Sequence, residues 1–387
     1  MKSIPYGRQD ISQADIEAVI EVLQSDWLTQ GPTIERFEQK VAEYCGAKYA
    51  VAVNSATSAL HIACMAAGLG PDDILWTTPN TFVASANCAR YCGAAVDFVD
   101  IDFRTYNMSV EKLEIKLIEA QRQGKLPKVV IPVHFSGQSC EMDRIALLAK
   151  EYGFTVIEDA SHAIGGRYRD EKIGSCVNSN MTVFSFHPVK IITTAEGGLV
   201  LTNQQELYER LTQFRSHGIT RNAKLMTEEA HGPWYYQQID LGYNYRMTDM
   251  QAALGLSQIE KVDEFVKRRH IIAEKYNDAL RNLPIRLPWQ HPDTYSAYHL
   301  YVICLEEEKI KKSHKQVFEE LRQAGIGVNL HYIPVHTQPY YQRLGFGWGD
   351  FPVSEYYYST AISIPMYSAM TEEEQDKVIR TLKEVLK

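Results

Sequence analysis

One lysine lies in a setting that favours covalent chemistry. Lys190 ends the run Phe-Ser-Phe-His-Pro-Val-Lys, and the residues around it are mostly apolar residues, serines and threonines. Because burial disfavours the charged ammonium form, a lysine in such surroundings has a lowered pKa and can attack a carbonyl to hold a Schiff base. A single lysine after a strand is more often solvated or salt-bridged, so a catalytic role needs support from other residues.

A carboxylate at the end of an upstream strand supplies the first support. Residues 155–159, Thr-Val-Ile-Glu-Asp, read as a β-branched strand that ends at Asp159. Pyridoxal phosphate (PLP) needs a lysine for its aldehyde and an anion near its pyridine nitrogen. Asp159 is a candidate for that anion, and a turn-capping aspartate is the alternative.

A hydroxyl-rich turn supplies the second support. Residues 55–58, Ser-Ala-Thr-Ser, join a short apolar strand to a helical pattern, so Ala56 and Thr57 would lie at a helix N-terminus. Free backbone N–H groups and the helix dipole suit a phosphate there, whereas a plain N-cap is the simpler alternative. Ser185, close in sequence to Lys190, is a further candidate phosphate ligand. The lysine, the aspartate and the turn together could bind the three polar groups of PLP, which are the aldehyde, the pyridine nitrogen and the phosphate.

The elements that must position these residues alternate along the chain. Strands are predicted at 49–54, 74–78, 95–99, 129–133 and 156–159, with helices at 32–45 and after Phe82 and Cys140. A further helix begins at Ser12, with a capping box to Asp15 and an apolar stripe of Ile16, Val19, Ile20 and Leu23. Such alternation is typical of a largely parallel sheet with helices on both faces, whose active site lies beyond the carboxyl ends of the strands.

The C-terminal third has a different pattern. Residues 248–280 form one amphipathic pattern without proline, which predicts a single long helix between two domains. Strands at 298–305 and 328–332, a segment at 361–366 and helices at 315–324 and from Thr371 follow. We therefore predict an α/β fold with a large domain over 1–250 and a mostly parallel sheet. The bridging helix and a small α+β domain occupy 251–387, and the N-terminal segment is a candidate for packing on the small domain.

Composition narrows the class of protein. The chain has 387 residues, a formal net charge of −8 and no long basic run, which argues against nucleic acid as a partner. The absence of a signal-peptide core and of a membrane-length apolar run predicts a cytoplasmic protein that does not bind a membrane. Seven cysteines, an odd number, read as buried free thiols, and no cluster of ligands predicts a metal site.

The motifs in their order resemble the DegT-type sugar-nucleotide aminotransferases, PLP enzymes of the aspartate aminotransferase (type I) fold. The resemblance runs nearly end to end, through residues 4–7, 26–32, 55–58, 77–84, 159–165, 184–198, 242–249 and 331–334. Residues 133–138 and 184–198 are most similar to the aminotransferases of pseudaminic acid biosynthesis. The resemblance implies a homodimer with shared active sites. It also implies transfer of an amino group from L-glutamate to C4 of a UDP-linked 4-keto-6-deoxy-N-acetylhexosamine.

The resemblance also implies roles for individual residues. Lys190 would be the catalytic lysine. The cofactor-binding residues would be Ala56, Thr57, Phe82, Asp159, His162, Ser185 and, from the neighbouring subunit, Asn244. The substrate-binding residues would be Tyr6, Gln30, His187, Arg246, His331 and Tyr332. Considered singly, Phe82, His162 and His187 would more often be packing residues. Asn244 would more often form a turn, and Arg246 a surface salt bridge.

Three other functions compete with this one. A sugar dehydratase of the same fold carries histidine at the lysine position, so Lys190 argues against it. A PLP-binding regulatory protein would need no intact substrate pocket, and no nucleic-acid-binding extension supports that reading. Another nucleotide-sugar aminotransferase, acting on a different 4-keto or 3-keto sugar, stays open.

Overall fold

The computed structural model describes residues 3–387. The α-helices are α1 Gln13–Leu23, α2 Pro32–Cys45, α3 Ala56–Ala66, α4 Ala84–Tyr91, α5 Val110–Gln123, α6 Met142–Tyr152, α7 Gln205–Arg215, α8 Asp249–Ile259, α9 Val262–Leu280, α10 His314–Gln323, α11 Pro339–Gln342, α12 Pro352–Thr360 and α13 Glu372–Val385. The strands are β1 Tyr49–Val53, β2 Ile74–Thr77, β3 Ala95–Phe98, β4 Val129–Val130, β5 Thr155–Asp159, β6 Arg167–Tyr168, β7 Glu171–Lys172, β8 Met181–Ser185, β9 Gly198–Thr202, β10 Ile219–Thr220, β11 Gln237–Gln238, β12 Ile285–Arg286, β13 Thr294–Tyr295, β14 Tyr301–Leu305 and β15 Ala361–Ile364.

A seven-stranded sheet in the order β1-β9-β8-β5-β4-β2-β3 forms the centre of the fold. Neighbouring strands from β8 to β3 are parallel, and β9 alone runs antiparallel to both of its neighbours. Every residue of β8 and β9 is buried, as expected of a sheet that helices cover on both faces. The predicted α/β class with a mostly parallel sheet is confirmed.

The antiparallel strand β9 brings two predicted site segments together. Its first residue, Gly198, pairs with Val53 at the end of β1 and with Ser185 at the end of β8. β1 leads into the Ser55 turn, and β8 leads towards Lys190. The turn and the lysine therefore meet at one edge of the sheet, although they are far apart in sequence.

A second core lies in the C-terminal part of the chain. The antiparallel sheet β12-β14-β15 packs with the later part of α9 and with α10 and α13. Ile4 belongs to the same apolar cluster and forms a bridge to Ile326. The predicted capping box of the last helix is present, since Thr371 caps α13 and Glu374 bonds back to it. The division of the chain at residue 250 stays a prediction.

The single long helix predicted over 248–280 is wrong, because the structure has two helices there. α8 ends at Ile259 and α9 begins at Val262, with the Lys261 N–H donating to the carbonyl of Gln258, only three residues back. The Lys261 ammonium lies 2.6 Å from the Asp15 carboxylate on α1. No proline or glycine lies at this break. The ion pair between Lys261 and Asp15 is a tertiary contact at the same point, and the local sequence pattern does not reveal it.

The predicted apolar stripe of α1 does not form core. Ile16, Ile20 and Leu23 are 44–54% exposed, whereas the acidic Asp15 is fully buried. α1 docks through Asp15, whose carboxylate accepts hydrogen bonds from Gln258 and Lys261. Desolvation alone would raise the pKa of Asp15, but hydrogen bonds from Lys261, Ser257 and Ser12 outweigh it and lower that pKa to about 2. The capping box from Ser12 to Asp15 is confirmed, and the outward face of the stripe is left uncovered in the single chain.

Two predicted strands are shorter than expected or missing within the described residues. β4 covers only Val129–Val130, because Pro132 has no N–H to continue the ladder. At 328–332 there is one bridge, between Asn329 and Ser363. The Asn329 side chain accepts the N–H of Leu330, so a local bond replaces a ladder bond.

Two kinds of feature are absent from residues 3–387. None of the helices there combines the length and the apolar character needed to cross a bilayer. No group of three or more His, Cys, Asp or Glu side chains there is arranged to hold a metal ion. The seven cysteines are free thiols, and all except Cys92 are buried.

Candidate active site

A cavity of about 500 Å³ opens at the carboxyl ends of the central strands. Residues from the central sheet line one side of it, and residues near the C-terminal core line the other. The predicted site residues that line it are Tyr6, Ala56, Thr57, Phe82, Asp159, His162, Ser185, His187, Lys190, His331 and Tyr332. The fold thus gathers residues from segments separated by more than three hundred positions.

Lys190 has the environment that the sequence predicts for a reactive amine. It is partly accessible because it lines the cavity, yet the surrounding protein desolvates its ammonium group. Desolvation lowers the pKa of Lys190 to about 8, and the charge of Asp159 opposes that shift only in part. At pH 7 about a tenth of the side chain is therefore neutral and nucleophilic, far more than for a lysine with the ordinary pKa.

Asp159 is buried and oriented by two hydrogen bonds. The Ser85 hydroxyl donates to Oδ2 at 2.6 Å, and the Ser161 backbone N–H donates to Oδ1 at 3.1 Å. Ser85 lies in the first turn of α4, and its hydroxyl is also 2.8 Å from that of Thr81. The carboxylate is therefore fixed at the cavity wall and available to a cationic ring nitrogen.

The N-terminus of α3 forms an anion site beside β9. Ser55 caps the helix, and its hydroxyl accepts the N–H of Ser58 at 3.1 Å. The N–H groups of Ala56 and Thr57 have no intrahelical partner, as in any first turn, and both residues line the cavity. A Cβ atom at Gly198 would lie 2.5 Å from the Ala56 nitrogen, so only glycine lets β9 pass this close. The close approach places Ser185 next to the helix terminus.

His162 and Tyr332 form a hydrogen-bonded pair in the cavity wall. The Ser136 N–H donates to His162 Nδ1 at 3.2 Å, so the proton of the neutral ring is on Nε2. That nitrogen donates to the Tyr332 hydroxyl at 3.0 Å. Burial lowers the pKa of His162 well below its ordinary value, with Lys190 contributing further, and burial raises that of Tyr332. The tyrosine hydroxyl is thereby left as a donor towards the cavity.

Phe82 is the aromatic residue placed to cover a planar ring. Its side chain is 58% exposed although it lies in the cavity wall, and its ring is 6.2 Å from that of Tyr332 in a tilted arrangement. An exposed phenyl face in a cleft favours ring stacking over plain core packing.

Three predicted site residues do not line this cavity. Gln30 and Asn244 are exposed, and Arg246 is half-buried. Backbone bridges place them along one segment, since Thr29 pairs with Thr248, Val53 with Arg246 and Ser216 with Asn244. Within one chain, therefore, these side chains lie on a surface beside the site.

The cavity also contains polar residues that the sequence analysis missed. They are Thr81, Ser85, Ser161, Glu196, His299 and Asn329. Ser85 lies one helical turn after Phe82, so its position next to a predicted site residue could have identified it from the sequence. His299 and Asn329 carry no motif that separates them from ordinary strand residues.

The residues present fit PLP. A free amine, a buried carboxylate, a helix N-terminus with Ser185 and an exposed phenyl face match the aldehyde, the ring nitrogen, the phosphate and the ring in turn. The chain matches the DegT/DnrJ/EryC1/StrS aminotransferase family over residues 9–383, nearly its whole length. The protein belongs to this family. It is thus a PLP-dependent sugar aminotransferase, as the resemblance in sequence predicted.

Individual relatives agree with the family. The aminotransferase is 39% identical to the spore coat polysaccharide biosynthesis protein SpsC of Bacillus subtilis, over 99% of this chain and 97% of that protein. It is 37% identical to the UDP-4-amino-4,6-dideoxy-N-acetyl-beta-L-altrosamine transaminase of Campylobacter jejuni, over the same shares of the two chains. Among solved structures, Helicobacter pylori PseC, an aminotransferase of pseudaminic acid biosynthesis, superimposes with a TM-score of 0.90 at 31% identity, covering 100% of this chain and 99% of that one.

The geometry of the cavity suggests a role towards PLP for each of these residues. When bound, PLP draws electrons away from the carbon that loses or gains a proton. Asp159 would stabilise positive charge at the ring nitrogen, and α3 with Ser185 would hold the phosphate. Lys190 Nζ would hold the cofactor aldehyde covalently and, when a substrate amine takes its place, would be the base that moves the proton.

The lowered pKa of Lys190 predicts how the apoenzyme captures PLP. Only the neutral amine attacks the aldehyde, so the capture rate should rise with pH and level off above about 8. Stopped-flow absorbance of PLP mixed with apoenzyme at a series of pH values measures this. In Asp159→Asn, which lacks the charge that raises the Lys190 pKa, the midpoint should move to lower pH. A midpoint near the ordinary lysine value of 10.5 would contradict the desolvated site.

Proposed function

We propose that the enzyme transfers the amino group of L-glutamate to C4 of a UDP-linked 4-keto-6-deoxy-N-acetylhexosamine, giving UDP-4-amino-4,6-dideoxy-N-acetyl-beta-L-altrosamine for pseudaminic acid synthesis. The observation that carries the proposal is the meeting of Lys190, Asp159 and the α3 N-terminus in one cavity. The name of the Campylobacter relative supplies the sugar, and the name of the Helicobacter relative supplies the pathway. Free thiols throughout the chain suit a reducing compartment such as the cytoplasm.

Part of the cavity lining suits a sugar. Tyr6, His187, Asn329 and His331 belong to it, and they bring hydroxyl, imidazole and amide groups to the cavity wall. The pKa of His331 is lowered to about 3, by burial first and by Lys190 second, so its ring is neutral at physiological pH. Neutral donors and acceptors recognise hydroxyl and keto oxygens without requiring a charge on the substrate.

A different nucleotide sugar is the second candidate. SpsC is named for spore coat polysaccharide biosynthesis, and at 39% it is as similar to this chain as the altrosamine transaminase is at 37%. A keto sugar of another configuration, or one carrying its keto group at C3, would use the same lysine chemistry. A regulatory role without turnover is less consistent with a cavity that retains both Lys190 and Asp159.

One assay separates these candidates. Purified enzyme with PLP and nitrogen-15-labelled glutamate is mixed with a panel of UDP-keto sugars, and the products are analysed by mass spectrometry and NMR. We expect the 4-keto-6-deoxy-N-acetylhexosamine to be converted into an amino sugar of the altro configuration, with the label on the nitrogen at C4. Labelling of a different sugar or carbon supports the second candidate, and no transfer to any sugar contradicts both.

We also propose a homodimer whose two sites are shared. The outward face of α1 with the turn after it, formed by Ile16, Ile20, Leu23, Trp27 and Leu28, is an apolar surface of the kind that a second copy would cover. Asn244, Arg246 and Gln30 lie outside the cavity of their own chain. In a closed two-fold dimer such residues can complete the partner's site, with Asn244 contacting the cofactor phosphate.

Mixed dimers test the shared site. Lys190→Ala and Asn244→Ala chains are each expected to be inactive. In a mixed dimer one site would carry both defects and the other neither, so mixing should restore up to about half of the wild-type activity per mixed dimer. Subunit exchange is checked with differently tagged chains and native mass spectrometry.

The matched control for this experiment is Asn222→Ala. Asn222 is exposed in the preceding loop, and its substitution should leave activity unchanged. If exchange is complete and no activity returns, or if a stable monomer turns over normally, then the shared-site proposal is wrong.

A further inference from the structure

Four histidines line the cavity; His187 is exposed, and among the other three one has a buried ring nitrogen without a hydrogen-bond partner in the described chain. Both ring nitrogens of His162 are engaged, by Ser136 and Tyr332. His331 is engaged by the Ser363 hydroxyl at 2.8 Å and by the Asn329 amide at 3.4 Å. His299 is 4% exposed, and its Nδ1 is buried without a partner. Among the residues that line the cavity, no other side chain within 3–387 has a buried unpaired polar atom.

A strained backbone residue and a buried arginine hold His299 in place. The preceding residue, Tyr298, has a φ of 47°, in the left-handed region that non-glycine residues rarely adopt. The fully buried Arg269 donates to the carbonyls of Tyr298, His299 and Met366 at 3.1–3.2 Å. Strained backbone of this kind persists where the surroundings enforce it, and it is concentrated at functional sites. Packing alone would not require a strained turn to present an imidazole at a cavity wall.

The charges around the cavity point to the kind of ligand. Lys190 is the only lysine or arginine that lines it within residues 3–387, and it is committed to the cofactor. An amino-acid donor nevertheless brings carboxylates into the cavity, where Asp159 and Glu196 would repel them. Within the single chain, an uncommitted imidazole is the side chain at the cavity that can gain positive charge and donate to such an anion.

We propose that His299 binds a carboxylate of the amino donor and becomes protonated as that carboxylate enters. This inference rests on the proposed aminotransferase reaction with an amino-acid donor. His299 is a binding residue for the donor half of the reaction, and the sugar acceptor does not depend on its charge.

The groups that face His299 determine its response to pH. They are His162, whose ring centroid is 4.3 Å away, together with Lys190, Arg269 and His331. Burial first, and then these groups, lower the pKa of His299 well below its ordinary value, so the ring is neutral when no anion is bound. An entering carboxylate favours the charged form and raises that pKa. Donor binding therefore takes up a proton, and it weakens as the pH rises.

Binding of glutarate, a dicarboxylate without an amine, tests the proposal apart from turnover. Wild type and His299→Asn, both loaded with pyridoxamine phosphate, are titrated with glutarate by calorimetry in buffers of different ionisation enthalpy. We expect about a tenfold higher dissociation constant and a smaller proton uptake in His299→Asn, as for the loss of a charge-assisted hydrogen bond. In steady state, KM for glutamate should rise about tenfold, while KM for the sugar changes less than about twofold.

The control variant is His270→Asn. His270 hydrogen-bonds the Ser296 carbonyl in the same segment but does not line the cavity, so its substitution should change neither ligand affinity nor proton uptake. Unchanged glutarate binding in His299→Asn, or equal weakening of glutamate and sugar, overturns the role of His299. If His299→Asn does not fold, His299→Gln replaces it, and the same criteria apply. A wild type that binds glutarate with proton uptake but aminates no sugar contradicts the proposed function and leaves the carboxylate site standing.

Discussion

Lys190→Ala is expected to lower the rate of amino transfer by on the order of 10⁴-fold or more, because in our assignment this side chain both anchors the cofactor and moves the proton. The fold and noncovalent binding of PLP should survive, since the α3 terminus, Ser185 and Asp159 are untouched. Steady-state transfer from glutamate measures the rate, and equilibrium dialysis measures bound PLP. Near-normal turnover would contradict the assignment of Lys190.

Two comparisons separate chemistry from stability in this variant. Lys190→Arg keeps a positive charge but has no nucleophilic amine, and it should be as inactive as Lys190→Ala. The folded-state pKa of Lys190 is lowered to about 8 from 10.5, so the unfolded chain binds more protons between these values. The apoenzyme therefore loses stability as the pH falls from 10.5 towards 8, and Lys190→Ala removes that loss. Thermal unfolding of the two apoenzymes at pH 7 should give the higher midpoint for the variant.

Asp159→Asn should lower turnover by more than about 100-fold, which corresponds to about 3 kcal/mol of transition-state stabilisation. The substitution keeps the size of the side chain but removes the anion opposite the ring nitrogen, so charge that develops in the reaction is no longer stabilised. PLP should still become attached to Lys190, because attachment requires only the amine. Single-turnover absorbance measurements with glutamate follow the two steps separately.

Ser85→Ala is the matched control for Asp159. It removes the 2.6 Å hydrogen bond to Oδ2 and leaves the charge in place. We expect roughly a tenfold loss, as for one hydrogen bond to a charged group. If Asp159→Asn loses no more activity than Ser85→Ala, then the negative charge of Asp159 is not needed, and the residue contributes only through its hydrogen bonds.

Much of the site could be predicted from sequence because its chemistry lies where regular elements end. Asp159, the Ser55 turn and Ser185 each follow a short apolar strand, and the carboxyl ends of parallel strands share one edge of a sheet. The antiparallel strand β9 brings its first residue, Gly198, to the same edge, where it pairs with Val53 and Ser185. Family motifs added Tyr6, His331 and Tyr332, which come from remote segments and have no local signal.

What could not be predicted depends on tertiary contacts. The break between α8 and α9 coincides with the ion pair of Lys261 with Asp15, in a stretch whose own pattern is continuous. The α1 stripe reads as core by periodicity, yet Ile16 and Ile20 face outward, since periodicity shows that a face is apolar and not what covers it. His299 is recognisable only from its unpaired nitrogen and the strain at Tyr298.

Borohydride reduction followed by peptide mapping tests the central claim most directly, because it locates the residue that holds PLP. Holoenzyme is reduced and digested, and the pyridoxyl mass is assigned by tandem mass spectrometry. The label should fall on Lys190 alone, and Lys190→Arg should carry none. A label on another lysine, or none on a holoenzyme that turns over, would contradict the placement of the reaction in this cavity.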